Sequence, residues 1–189
     1  DASFGFPEVM LGLHPGLGGT VRLPHLINPV RAMTMMLTGR PERDRSAKSL
    51  GIVDVVTQER HVRAAVREVV AGTLRSSKQG FLGRLLNSGL ARGLLASRMR
   101  KEAAKKAPRD HYPAPYALID LWAKHGGVRA AMQKGEIASF AHLLTSETAQ
   151  NLVRVFFLRE KLKKLASGQW NGKRVHVIGA GAMGGDIAA

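Results

Sequence analysis

Near its C-terminal end the chain runs Lys173, Arg174, Val175, His176, Val177, Ile178, a strand-like stretch, and passes without a gap into G-A-G-A-M-G. Glycines at 179, 181 and 184 stand at G-x-G-x-x-G spacing, and Ile187 and Ala188 open what the pattern predicts as a helix. Strand, glycine turn and helix in that order are the start of a dinucleotide-binding βαβ unit. The first glycine permits the tight turn, the second lets the backbone approach a pyrophosphate, and the third lets helix lie against strand. The helix N-terminus then offers unpaired N–H groups to the anion. The bland alternative is a glycine-rich turn with no ligand. The acidic residue for the ribose is expected about 20 residues on, past Ala189. At the other end, D-A-S-F-G-F-P-E enters an apolar pattern with no initiator Met and no leader. The expectation is an internal piece of a larger enzyme, cut inside two domains.

Composition narrows the class. With 44% apolar and 5% aromatic residues, the chain reads as ordinary globular protein. It has no apolar run of the roughly 18 residues a membrane span needs. Zero cysteines exclude disulfides and thiolate metal sites, and the histidines show no H-E-x-x-H pairing, so no metal site is expected. The net charge, 29 − 14 = +15, favours anionic partners: nucleic acid, an anionic membrane surface or a phosphorylated small ligand. Its densest run is Arg98, Arg100, Lys101, Lys105, Lys106 and Arg109, interrupted by Glu102. That run reads first as a solvated helix face, with a polyanion site as the alternative.

Along the chain, Ala2 to Phe6 suits a buried strand end or an extended entry segment before Pro7. His14 to Thr20 packs a proline and three glycines, and Val21, Leu23, Leu26 and Ile27 predict a short helix. Asn28-Pro29 is a cap and first-turn signature, followed by Val30, Met33, Met36 and Leu37 on one face and a stop at Gly39. Asp44 is expected to cap a brief helix ending at Gly51, and Ile52 to Val56 to form a strand. A helix over about 59–74 should carry Val62, Ala65, Val66, Val69 and Val70 on one side. The first seventy residues thus alternate strand and helix, which favours α/β. Helical pieces follow over 78–107, then a helix over 116–124, another bearing Ile137, Phe140, Ala141 and Leu144, and a third burying Leu152, Val153, Phe156, Phe157 and Leu162 before Gly168.

The stretch F-G-F-P-E-V-M-L-G-L-H-P-G-L-G-G-T-V-R-L, Phe4 to Leu23, closely resembles the second active-site segment of the crotonase (enoyl-CoA hydratase/isomerase) superfamily, and A-M-T-M-M-L-T-G with A-K-S-L-G-I-V-D-V-V continues it. H-Y-P-A-P-Y-A, the E-x-x-x-F-A-x-L segment at Glu136 to Leu143 and G-A-G-A-M-G resemble the α-subunit type of fatty-acid β-oxidation multienzymes. The resemblance implies an α/β fold in three parts. Residues 1–109 would be the C-terminal part of a crotonase-like ββα superhelix, 110–168 a helical linker, and 169–189 the start of an NAD-binding Rossmann domain. It implies enoyl-CoA and 3-hydroxyacyl-CoA thioesters as substrates, NAD as cofactor at Gly179, Gly181 and Gly184, and a thiolase subunit as a partner. The location it implies is cytoplasmic for a bacterial source, mitochondrial or peroxisomal for a eukaryotic one.

Hydration of an enoyl thioester needs a base for water, an acid for the α-carbon and stabilisation of the thioester oxygen. Glu8 takes the position of the family's second glutamate, which the resemblance assigns as proton donor. Its place after Pro7, beside Phe4, Phe6 and Val9, would strip water from the carboxyl, as an acid at neutral pH requires. A lone carboxylate is otherwise most often a surface residue at a strand end. Gly16, Gly18 and Gly19 resemble the family's glycine turn beside the acyl pocket, or serve backbone geometry alone. His14 reads as bland, and Arg22 as an exposed helix side rather than a phosphate ligand. By the same comparison the first glutamate and the oxyanion donors precede Asp1, so the 189 residues alone are expected to be inactive. A second reading is an RNA-binding or scaffolding crotonase-like module. With only Phe81 among the aromatics between Arg75 and Arg109, nucleic acid is not the expected partner.

Overall fold

A computed structural model describes residues 2–74, 80–166, 176, 177 and 179. The described chain is helix-rich. Its strands are β1 (Ser3–Phe4) and β2 (Glu42–Arg43), paired antiparallel with Ser3 opposite Arg43 and Phe4 opposite Glu42. The helices are α1 (Gly19–Leu26), α2 (Pro29–Thr38), α3 (Asp44–Leu50), α4 (Val62–Val70), α5 (Phe81–Leu86), α6 (Gly89–Ala104), α7 (Pro113–His125), α8 (Arg129–Leu144) and α9 (Glu147–Ala166). Short 3-10 turns occupy Pro7–Leu11 and Glu59–His61. The chain divides into two units, Asp1–Arg154 and Val155–Ala189, with the boundary inside α9.

Local chemistry explains where several helices start and stop. Asn28 Oδ1 accepts from Val30 N–H at 2.9 Å and from Arg31 N–H at 3.4 Å, Pro29 takes the first helical position, and Gly39 at φ 65° ends α2. At α7, Pro113 stands where its missing N–H costs nothing. Asp44 is the first residue of α3 rather than its cap; Arg43 precedes it with no side-chain capping bond.

The main core of the first unit gathers α1, α2, α6, α7 and α8. Met33, Met36, Ile119 and Trp122 are wholly buried within it, with Ile27 and Leu118 nearly so. Trp122 Nε1 donates to Asn87 Oδ1 at 3.2 Å, and Asn87 Nδ2 donates to the Gly126 carbonyl at 3.0 Å, which satisfies both polar groups beside the indole. A second cluster of Leu13, Ala114, Leu143 and Ala149, flanked by Phe140, joins the glycine turn to α7, α8 and the start of α9.

Some expectations need correction. Ile52 to Val56 is not a strand: among the described residues no chain segment lies beside it to complete a ladder, and β-branching alone does not supply hydrogen-bond partners. Instead Val53 to Val56 line a cavity of about 480 Å³ with Phe4 and the valine face of α4. That face forms, yet Val62, Val66, Val69 and Val70 all stay exposed and only Ala65 is half-buried. On α8 the buried residues are Met132, Glu136 and Leu143, while Ile137 and Leu144 face outward. On α9 Ala149 is buried and Leu152 and Val153 half-buried, whereas Phe156, Phe157 and Leu162 are exposed. Within the second unit, Phe156 and Phe157 meet edge to face at 5.5 Å. The strand expected over Arg174 to Ile178 lies outside the described residues except for His176 and Val177.

Candidate active site

Glu8 sits on the turn Pro7–Leu11, where the proline supplies a fixed φ at the first position. Gly12, at φ 72°, ends the turn; its N–H donates to the Val9 carbonyl and Leu13 N–H to the Glu8 carbonyl, each at 3.1 Å. The Glu8 side chain is half-buried, and its Oε2 is enclosed with no hydrogen-bond partner. Leaving a buried acceptor unpaired costs about 1–3 kcal/mol. An orphan of this kind points to stored strain, a held water or a reacting group.

The segment after Glu8 is tied down by polar bonds that reach across the unit. His14 is 1% exposed. Its Nδ1 lies 2.8 Å from the Pro15 carbonyl, which can only accept, so Nδ1 carries the hydrogen and Nε2 accepts from the Ser139 hydroxyl at 2.9 Å. Burial holds the imidazole below its usual pKa, against the Pro15 carbonyl and the charges of Glu136 and Glu8, which pull it up. His14 is therefore a satisfied buried histidine, with the partner that the sequence did not reveal.

Gly18 and Gly19 form the hinge into α1. Gly18 sits at φ 85°, in the left-handed region that glycine tolerates best, and an added Cβ on Gly19 would lie 2.9 Å from Pro15 Cβ and 3.1 Å from Phe6 Cε1. The N-terminus of α1 is closed by a side chain from far along the sequence. Glu136, 1% exposed on α8, accepts from Gly18 N–H at 2.6 Å through Oε1, and from Thr20 N–H at 3.1 Å and the Thr20 hydroxyl through Oε2. Sequence reasoning placed Glu136 only within a resembling motif. The signal that could have found it is periodicity, because it falls on one helical stripe with Met132 and Phe140, where an apolar residue would be expected. Arg22 is engaged locally: its Nη2 donates to the carbonyl of Leu17, which sits at φ 53° and is 96% exposed, at 2.6 Å.

A second cavity, about 540 Å³, opens between α2, α6 and the start of α7. Its walls are mostly apolar, with Leu37, Leu95, Met99 and Pro115, and Arg98 and Lys106 also border it. Leu37 and Thr38 lead directly into Gly39, whose Cβ position would lie 3.1 Å from Val9 Cγ1, so α2 borders this cleft and also packs against the turn that carries Glu8, although no residue of that turn lines the cleft. The basic run at the end of α6 and just beyond it is partly consumed within the fold. Arg100 and Arg109 both reach Asp120 of α7, at 2.7 and 3.2 Å, and Lys105 pairs with Glu102 at 2.7 Å. Among the described residues, no three His, Asp or Glu side chains converge as metal ligands, and no helix is long and apolar enough to cross a membrane.

Residues 1–104 match the enoyl-CoA hydratase/isomerase family. The chain belongs to that family. As a hydratase/isomerase chain it is also 37% identical, over 98% of its length, to the fatty acid oxidation complex subunit alpha of Shewanella sp. strain MR-4, and equally to that of strain ANA-3. The corresponding subunit of Shewanella baltica strain OS155 is 35% identical over the same share. In each case the chain spans 27% of the relative's length. Of the glycines predicted for the dinucleotide, Gly179 sits at φ 117°, a backbone conformation that favours glycine; Gly181 and Gly184 lie outside the described residues.

Proposed function

We propose that these residues work within a longer polypeptide that hydrates trans-2-enoyl-CoA and then oxidises the resulting 3-hydroxyacyl-CoA, with Glu8 as the acid of the first step. The observation that supports the reading most is the enclosed, partnerless Oε2 of Glu8, on the turn where family resemblance places a proton donor. In that reaction a water oxygen bonds to the β-carbon, electrons move toward the thioester oxygen, and the α-carbon takes a proton from Glu8. The base for water and the donors to the thioester oxygen would come from outside the 189 residues. The cleft beside Leu37 and Met99 is the proposed seat of the acyl chain, since its walls are mostly apolar and α2, which forms one of them, ends against the Glu8 turn.

For the second step NAD supplies a hydride acceptor when bound, and Gly179, Gly181 and Gly184 would make the turn against its pyrophosphate. Residues 110–168 are the proposed linker between the two activities. A thiolase subunit is the proposed partner, consistent with relatives named as subunits of a complex, and a cytoplasmic location is proposed with it. The test is Glu8→Gln in the full-length polypeptide, following loss of the enoyl thioester absorbance. Hydration should fall about 10²–10⁴-fold while NAD reduction by a 3-hydroxyacyl-CoA continues unchanged. Hydration within threefold of wild type would remove Glu8 from the mechanism.

A further inference from the structure

We infer that α8 is part of the hydration site, with Glu136 and Ser139 as positioning residues that set where the Glu8 carboxyl points. The inference rests on the proposed role of Glu8 and extends it to a helix beyond the family-matched residues 1–104.

The chain from Glu8 to Thr20 is held at both ends and in the middle. At its start, the Leu13 N–H to Glu8 carbonyl bond fixes His14 one residue beyond a turn that contains the carboxyl. In the middle, Ser139 of α8 donates to His14 Nε2 at 2.9 Å, and Phe140 packs where a Cβ on Gly16 would come within 3.2 Å of its ring. At the end, Glu136 takes Gly18 N–H, Thr20 N–H and the Thr20 hydroxyl together. Three consecutive features of one helix, at positions 136, 139 and 140, therefore grip three points of the loop that leaves Glu8. A carboxylate suits this place on two counts. All its neighbours are donors, and the N-terminus of α1 carries the partial positive charge of its unpaired N–H groups. Glu136 touches no reacting atom; it acts through the loop.

The bond pattern makes the substitution decisive. In Glu136→Gln one oxygen becomes NH₂, and on either side of the group that NH₂ faces an N–H that can only donate. The loop must move to relieve donor against donor, and a displacement of about 1 Å at a reacting group costs on the order of 10²-fold in rate. In the full-length polypeptide, Glu136→Gln should lower the hydration kcat about 10–100-fold with KM within threefold. Glu136→Asp, which keeps two acceptor oxygens, should recover part of that loss. The NAD-dependent rate with a 3-hydroxyacyl-CoA should stay at the wild-type level. A role confined to folding would instead lower the active fraction, leaving kcat per titrated site unchanged. If Glu136→Gln does not fold, Ser139→Ala decides, with an expected drop in kcat of about threefold to tenfold, the scale of one neutral hydrogen bond. Wild-type kcat in the folded variant, while Glu8→Gln is inactive, overturns the role of α8 and leaves the hydratase reading standing. Full activity of Glu8→Gln overturns that reading itself.

Discussion

Replacing Gly19 by alanine measures how tightly the loop beneath Glu8 is packed. The new methyl would meet Pro15 Cβ at 2.9 Å and Phe6 Cε1 at 3.1 Å, where relaxed carbon contacts lie at about 3.5–4.0 Å. Pro15 is buried and its ring is closed onto the backbone, so it cannot rotate aside. The Phe6 ring can turn, but it packs against the main core. Backbone must therefore shift by several tenths of an ångström, an overpacking that costs about 1–3 kcal/mol. Alanine returns up to about 1 kcal/mol of helix propensity, less at a first helical position. The net expectation is about 1–2 kcal/mol, or roughly fivefold to thirtyfold in local opening at about 1.4 kcal/mol per decade. Amide exchange reads it directly in the full-length polypeptide. The reporters are Thr20 N–H, bonded to Glu136 at 3.1 Å, and Arg22 N–H, bonded to the Gly18 carbonyl at 2.9 Å. Both should exchange roughly fivefold to thirtyfold faster in Gly19→Ala. Unchanged or slower exchange would refute the packing argument, because it would mean that the methyl finds room or that propensity outweighs the clash.

Gly93 offers the opposite case: it lies inside α6 with nothing within 4 Å of an added Cβ, so Gly93→Ala should stabilise the helix by about 0.5–1 kcal/mol, seen as slower exchange over residues 94–97. His14 gives a pH signature. Burial holds its folded pKa below the usual imidazole value, so the stability it contributes is complete above that usual value and is lost as pH falls through the folded one. The difference in unfolding midpoint between wild type and His14→Asn should shrink as pH is lowered from 7 toward 5, and a difference independent of pH would count against a neutral buried imidazole.

Elements governed by neighbours in sequence were legible, and those governed by distant partners were not. Asn28, Pro29 and Gly39 bound α2 through contacts within a turn or so, and the predicted limits match. Gly51 ends α3 for the same reason, at φ 83°. Ile52 to Val56 shows the opposite. Its β-branched run is a preference for a pleated surface, and a ladder also needs a second strand, which the described residues do not provide there. The periodicity of α9 likewise identified an apolar face, but not what lies against it, and Phe156, Phe157 and Leu162 end up exposed.

The same reasoning explains why the sequence proposes Glu8 only through family resemblance and does not display the groups that support its loop. Glu8 stands inside a contiguous segment, Phe4 to Leu23, that carries the family resemblance, so a local stretch of sequence is enough to propose it. Glu136 is 116 and 118 residues from the groups it binds, and nothing in its own helix announces the donors of Gly18 and Thr20. A charged residue on the buried stripe of a helix is nevertheless information, because it is costly there unless something fully satisfies it. At α8 the satisfier is the N-terminus of α1, an assembly of backbone donors that any glycine-rich helix entry creates and that residue type alone does not display. An acidic residue interrupting an apolar stripe and a glycine turn opening a short helix are thus each incomplete, one lacking donors and the other lacking an acceptor. Their complementarity is the physical reason that a helix outside the family-matched segment closes onto the loop beyond Glu8.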